Sequence, residues 1–258
     1  MLDALAHRSH IAQLIKRAGG AVLMLDFDGT LAPIVSNPNK ATISARMRRA
    51  LILCSRRFST AIVSGRALVN IRKHVRVKNI SLVGNHGFEW IITGKRGLRT
   101  VSLAKTRALR AVSKELLVLE SLYSGIYVED KKHSVSVNYR IARVHRAAIE
   151  RYVRNIVRRA SAKHLRIMGG IFVFNIIPNV GWGKGKAAIM LFARLKNSRK
   201  AIPIFIGDEP TDEDAFKALR RGVTIRVKNG TNARTAARYT LNNVESVRKF
   251  LLWLAALS

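Results

Sequence analysis

The sequence predicts an α/β protein: a Rossmann-like parallel sheet whose chain is interrupted by an α+β insertion. Three observations carry this. Short apolar runs at 21–25, 61–63, 80–83 and 202–206 read as strands buried on both faces. Stretches between them, such as 42–57 and 183–195, have helical periodicity, and alternating strands and helices imply right-handed βαβ units. Residues 101–178 follow another rhythm and read as an inserted cap, leaving 1–100 and 179–258 as the core.

Each element has its own justification. Over 2–17, Leu2, Leu5, Ile11, Leu14 and Ile15 fall at helical spacing until Gly19-Gly20 ends the pattern. The four apolar runs are followed by Asp26-Phe27-Asp28-Gly29-Thr30, Ser64-Gly65-Arg66, Gly84-Asn85-His86-Gly87 and Gly207-Asp208. Ligands of open parallel sheets bind outside the carboxyl ends of the strands, so these four polar clusters should converge. In the insertion, 102–120 reads as a helix, 126–140 as alternating strand segments and 142–160 as a second helix. Residues 165–168 and 171–174 read as two more strands.

Composition bounds the function. The 258 residues carry 47 Lys+Arg against 15 Asp+Glu, a formal net charge of +32, and 48% are hydrophobic, enough for a sizeable core. The charge raises the question of a polyanion partner but says nothing about fold. One cysteine, Cys54, excludes an internal disulfide and a cysteine-rich zinc site. The longest apolar run, 250–257, is too short to span a membrane, and the N-terminus does not read as a signal peptide, so a soluble cytoplasmic protein is expected; the oligomeric state stays open, with a monomer favoured. The acids are more informative: Asp26, Asp28, Asp208, Glu209, Asp212, Glu213 and Asp214, seven of 15, lie in two short stretches.

Two carboxylates at i and i+2 past a buried strand can enter one pocket if Gly29 turns the chain, and like charges that close call for a cation or proton. That is the pattern of a nucleophilic Asp26 and an acid–base Asp28 around Mg²⁺. Oxygen-rich 207–214 suits the same hard cation through Asp208 and Asp212, while Thr211 reads as an N-cap with acids in the first turn after it. Gly183-Lys184-Gly185-Lys186 opens a helix and can neutralise a phosphoryl group, although it is no P-loop.

Asp26-x-Asp28-Gly-Thr, Ser64, Lys184 and Gly207-Asp208 with Asp212, in this order, resemble the haloacid dehalogenase superfamily of Mg²⁺-dependent phosphatases. Ala61-Ile-Val-Ser-Gly-Arg66, Gly84-Asn-His-Gly-Phe-Glu89, Asn138-Tyr-Arg140 and Thr211-Asp-Glu-Asp-Ala-Phe216 narrow the resemblance to the trehalose-6-phosphate phosphatase family, over about 20–245.

The resemblance implies an aspartyl-phosphate on Asp26, acid–base work by Asp28, and phosphoryl contacts from Ser64 and Lys184. It implies Mg²⁺ at Asp26, Asp28 and Asp208, with Asp212 adjacent. For the substrate it implies Gly29, Thr30, Gly65, Arg66, His86 and Glu89 in the core, and Glu129, Lys132, Asn138, Arg140 and Asn175 in the cap. The chain departs from the family pattern at Glu209, usually Asp, at Asn138, often His, and at Asn175, commonly Glu. The expected partner is a small sugar phosphate, with no required nucleic acid and no membrane span. Asn138 and Asn175 leave open a different glycosyl phosphate, and the charge leaves open a basic protein binding nucleic acid or an anionic surface on the same fold.

Overall fold

The computed structural model describes residues 1–35, 40–142, 145–161, 163–231 and 233–257. The chain divides into two compact units, Met1–Leu98 with Gly183–Ser258, and Arg99–Trp182.

The first unit contains β1 (Leu2–Asp3), α1 (Arg8–Arg17), β2 (Ala21–Leu25), α2 (Ala45–Arg57), β3 (Ser59–Val63), α3 (Leu68–Val75), β4 (Ser81–Gly84), β5 (Glu89–Ile92) and β6 (Lys95–Leu98). The second contains α4 (Leu103–Leu116), α5 (Val118–Leu122), β7 (Tyr127–Asp130), β8 (Val135–Asn138), α6 (Arg146–Ser161), β9 (Leu165–Gly170) and β10 (Val173–Pro178). The chain then returns to the first unit through α7 (Lys184–Leu195), β11 (Ile202–Gly207), α8 (Glu213–Ala218), β12 (Val223–Val227), β13 (Tyr239–Leu241) and α9 (Val244–Ala255).

The first unit is built on a nine-stranded sheet, ordered β1-β13-β12-β11-β2-β3-β4-β5-β6. Pairing is parallel from β1 to β4, with β5 and β6 added antiparallel at one edge. The chain runs outward from β2 through β3 and β4, and later outward from β11 through β12 and β13. The order therefore reverses between β2 and β11, the place where a doubly wound sheet opens a crevice. All five residues of β2 and of β12 are buried, as strands covered on both faces require. Ser44 caps α2 by accepting from the Met47 N–H at 3.1 Å.

The second unit has its own four-stranded antiparallel sheet, ordered β7-β8-β10-β9. Val128, Val135, Val137, Phe174 and Ile176 pack with residues of α4 and α6 in a separate apolar cluster. Its chain ends meet: the Arg99 guanidinium lies 4.7 Å from the centre of the Trp182 ring.

Several expected elements change. Leu2–Asp3 pairs with β13, so the first helix starts at Arg8. The helix expected over 102–120 is two, α4 and α5. That expected over 142–160 is Arg146–Ser161, with 143 and 144 outside the described residues. Ile171 and Phe172 form the turn before β10 rather than its start.

Candidate active site

β2 delivers Asp26 to the crevice. Its backbone N–H bonds the Ile206 carbonyl on β11 at 2.9 Å, so the last pairing of the two strands fixes where the carboxylate emerges. The chain then turns tightly. Leu31 and Ala32 N–H both bond the Phe27 carbonyl at 2.9 Å, and Phe27 is fully buried beneath the turn. Gly29 sits at φ +70°, and a Cβ on it would lie 1.9 Å from Asp208 Oδ2. The Asp208 carboxylate occupies the notch that the missing side chain leaves.

Four carboxylates and one ammonium meet here. Lys184, at the start of α7 and fully buried, places Nζ 2.9 Å from Asp26 Oδ1 and 2.8 Å from Asp212 Oδ1. Asp212 Oδ2 accepts the Asp208 N–H at 3.0 Å and the Glu209 N–H at 2.9 Å. Asp208 accepts from Thr30 Oγ1 at 3.4 Å and from Asn229 Nδ2 at 3.2 Å. Asp26 Oδ2 is buried with no hydrogen-bond partner among the described residues.

The electrostatics are unbalanced. Burial, then the neighbouring carboxylates, push Asp26 and Asp208 well above the usual carboxylate range, and Lys184 only partly opposes this. Burial raises Glu209 as well. Burial also disfavours charge on Lys184, but Asp212 and Asp26 outweigh it and hold the ammonium well above its ordinary value. One ammonium among Asp26, Asp208, Asp212 and Glu209 leaves three negative charges uncompensated when all ionise. Asp26, Asp208 and Asp212 each offer an oxygen, all within 4.8 Å of one another. An all-oxygen, buried, net-negative cluster with one unpartnered oxygen fits a hard divalent cation.

Glu209, the departure next to this cluster, folds back. Its side chain accepts from the backbone of Asp212 and from Thr211 Oγ1, capping the turn Pro210–Asp212. The cap is thus Glu209, and Thr211 does not fill the N-cap position expected of it.

Asp28 has a partner of its own. Arg66 grips it with two parallel bonds, Nε to Oδ2 at 2.6 Å and the second guanidinium nitrogen to Oδ1 at 2.7 Å. Asn70 Oδ1 accepts from Arg66 at 3.0 Å, and the Phe27 ring lies under the guanidinium at 5.0 Å. Ser64 Oγ accepts the Arg66 N–H at 3.2 Å. The Asn85 N–H bonds the Arg66 carbonyl at 2.7 Å, and the His86 N–H bonds that of Ser64 at 3.0 Å. A Cβ on Gly65 would come within 2.5 Å of the His86 ring, so a glycine is needed at that contact. Glu89 accepts from Leu68 N–H at 2.7 Å and from Asn85 Nδ2 at 2.6 Å, tying the start of α3 to the turn after β4.

In the second unit, Glu129, Ser136, Asn175 and Met168 are directly paired across all four strands, and Asn138 lies two residues beyond Ser136. Glu129, Asn138 and Asn175 thus share one face of the small sheet. Ser136 Oγ donates to Asn175 Oδ1 at 2.6 Å, and Lys131 Nζ lies 3.6 Å from Glu129. Lys132 sits in the β7–β8 hairpin, its N–H on Asp130 Oδ1 at 2.7 Å. Arg140 lies beyond β8, bonded to the Ile171 carbonyl at 3.3 Å and over the Phe172 ring.

The trehalose-phosphatase family model matches residues 24–245. Trehalose 6-phosphate phosphatase RA3 of Zea mays is 35% identical over 96% of this chain and 75% of its own length. An uncharacterized glycosyl hydrolase of Mycobacterium tuberculosis is 33% identical over 98% of this chain, which spans only 19% of that protein. The C-terminal domain of the C. albicans trehalose-6-phosphate phosphatase superposes with a TM-score of 0.79 at 22% identity, covering 97% of each chain. The doubly wound core, interrupted in sequence by an α+β unit, and a family match over nearly the whole length lead to one conclusion: the chain belongs to the trehalose-phosphatase family.

Proposed function

We propose that the chain hydrolyses trehalose 6-phosphate to trehalose and phosphate through an aspartyl-phosphate. The observation that carries this is Asp26 Oδ2, a buried carboxylate oxygen without a partner among the described residues, beside a buried Lys184 ammonium and two residues before Asp28.

Asp26 attacks phosphorus in line as the sugar oxygen leaves, and Asp28 gives that oxygen its proton. Asp28 then takes a proton from water, whose oxygen attacks phosphorus and frees Asp26 as a carboxylate. Arg66 engages both Asp28 oxygens, so at least one must be released for proton transfer. Ser64 and the third Lys184 N–H hold phosphoryl oxygens, and positioning of this kind supplies most of the catalysis in phosphoryl transfer. Asp26, the Asp28 main-chain carbonyl and Asp208, with Asp212 adjacent, would hold Mg²⁺, which would supply positive charge against the excess carboxylates and the phosphoryl group. Gly29, Thr30, Gly65, Arg66, His86 and Glu89 frame the core side of the substrate. The 99–182 unit acts as the specificity cap, its Glu129, Lys132, Asn138, Arg140 and Asn175 reading the sugar.

Phosphate release across a panel of sugar phosphates, with Mg²⁺ and with EDTA, tests this. Trehalose 6-phosphate should be turned over only with the metal, and Asp26→Asn should abolish turnover while circular dichroism is unchanged. Full activity in Asp26→Asn would overturn the mechanism, and turnover of another sugar phosphate alone would overturn the substrate.

A further inference from the structure

Asn229 belongs to none of the four strand-end clusters. It lies in the loop after β12, where its N–H bonds the Asn242 carbonyl at 2.9 Å and the Lys228 N–H bonds that of Leu241 at 2.8 Å. The loop backbone is thereby fixed to the end of β13. Asn229 adopts φ +45°, a left-handed conformation that asparagine tolerates better than most residues. From there one amide group spans two parts of the acidic site. Nδ2 lies 2.8 Å from the Gly29 carbonyl and 3.2 Å from Asp208 Oδ2. An amide nitrogen carries two hydrogens, one for each acceptor.

We infer that Asn229 is a positioning residue for the metal site, locking the Asp208 carboxylate into the Gly29 notch without neutralising it. The inference rests on the phosphatase reading and deepens it. Among the described residues no ion pair holds Asp208, which feels Lys184 only at longer range: its two side-chain donors there are the Thr30 hydroxyl, at the long distance of 3.4 Å, and this amide. Each carboxylate oxygen has two lone pairs, so accepting from Asn229 leaves one for a metal. A lysine or arginine at 229 would pair with Asp208 and compete with the cation. An aspartate could not donate, and a serine would be too short to bridge both acceptors. Neutral donors that orient a ligand in this way are worth about 10–100-fold in metal affinity.

The test is calorimetric titration of the full-length, metal-free protein with MgCl₂ in the absence of substrate, for wild type, Asn229→Ala and Asn229→Gly. Glycine suits the left-handed backbone, so the second variant keeps the loop. Both should bind Mg²⁺ about 10–100-fold more weakly, with kcat at saturating Mg²⁺ falling far less than activity at limiting Mg²⁺. Unchanged affinity in the variants would overturn the inference. Loss of fold in both would also overturn it, because Asn229 would then be structural. The phosphatase reading fails separately, if wild type itself neither binds Mg²⁺ nor releases phosphate from trehalose 6-phosphate.

Discussion

At the scale of single residues, Arg66 is the sharpest case. The sequence placed it among substrate contacts, yet its guanidinium holds the carboxylate assigned to proton transfer. The two roles separate kinetically. Arg66→Lys keeps the charge but loses the parallel bonds. If Arg66 sets Asp28, kcat should fall by roughly 10-fold or more, up to the roughly 10²–10⁴-fold that acid–base groups contribute. A rise in KM at constant kcat would return Arg66 to substrate binding alone. Residue-level legibility was uneven for a physical reason. Asp26, Asp28 and Asp208 lie within three residues of the ends of apolar runs and stand out in a chain poor in acids. Asn229 was missed because its partners come from β2 and β11 loops, and a lone Asn before Gly230 reads as an ordinary turn.

At the scale of elements, α3 links the site to stability. It starts beside Arg66, and His74 in its last turn lies 6.3 Å from Phe27, ring centre to ring centre. Burial, then Arg66 and Lys73, lower the His74 pKa from its ordinary 6.5. The unfolded chain therefore binds this proton more readily. The contribution to stability is fully present above pH 6.5 and declines as pH falls from there toward the folded value. Urea unfolding at pH 5.5 and 7.5 should show that stability at pH 7.5 minus stability at pH 5.5 is lower in His74→Gln than in wild type, and an equal difference would show that His74 does not titrate in this way.

The same scale explains which strands the sequence revealed. β2, β4 and β11 are nearly uninterrupted apolar runs. β12 reads Val-Thr-Ile-Arg-Val and looks half-exposed, yet it is buried throughout. One guanidinium nitrogen of Arg226 donates to the carbonyls of Ala233 and Arg234 and lies 3.6 Å from Glu213, partners no local pattern discloses. Edge strand β6, Lys-Arg-Gly-Leu, carries no apolar alternation at all.

At the scale of the whole molecule, a protein of net charge +32 gathers four of its 15 carboxylates, Asp26, Asp208, Glu209 and Asp212, at one point. The raised pKa values of Asp26, Asp208 and Glu209 give the sign of the consequence. Their contribution to stability is fully present below the unfolded carboxylate pKa and is lost as pH rises through the folded values. Metal-free protein is thus destabilised near neutrality by its own site, and a bound divalent cation restores stability by mass action. Thermal unfolding in EDTA should show Asp208→Asn more stable than wild type, while the gain on adding Mg²⁺ should shrink. A less stable Asp208→Asn in EDTA would refute this charge accounting. The net positive charge suits attraction of a dianionic phosphate, and among the described residues no helix is long and apolar enough to cross a membrane.

The pairing of β2 with β11 has a consequence for biogenesis. About 180 residues separate two strands that lie side by side, and the whole second unit is translated between them. During synthesis the segment 99–182, with its own apolar cluster, can collapse while β2 still lacks a neighbour on one side. Asp26 and Asp28 then wait on a bare strand edge until Asp208 and finally Asn229 leave the ribosome. A nascent chain stalled before residue 202 therefore carries both aspartates and no site, with an open sheet edge that a chaperone would have to cover.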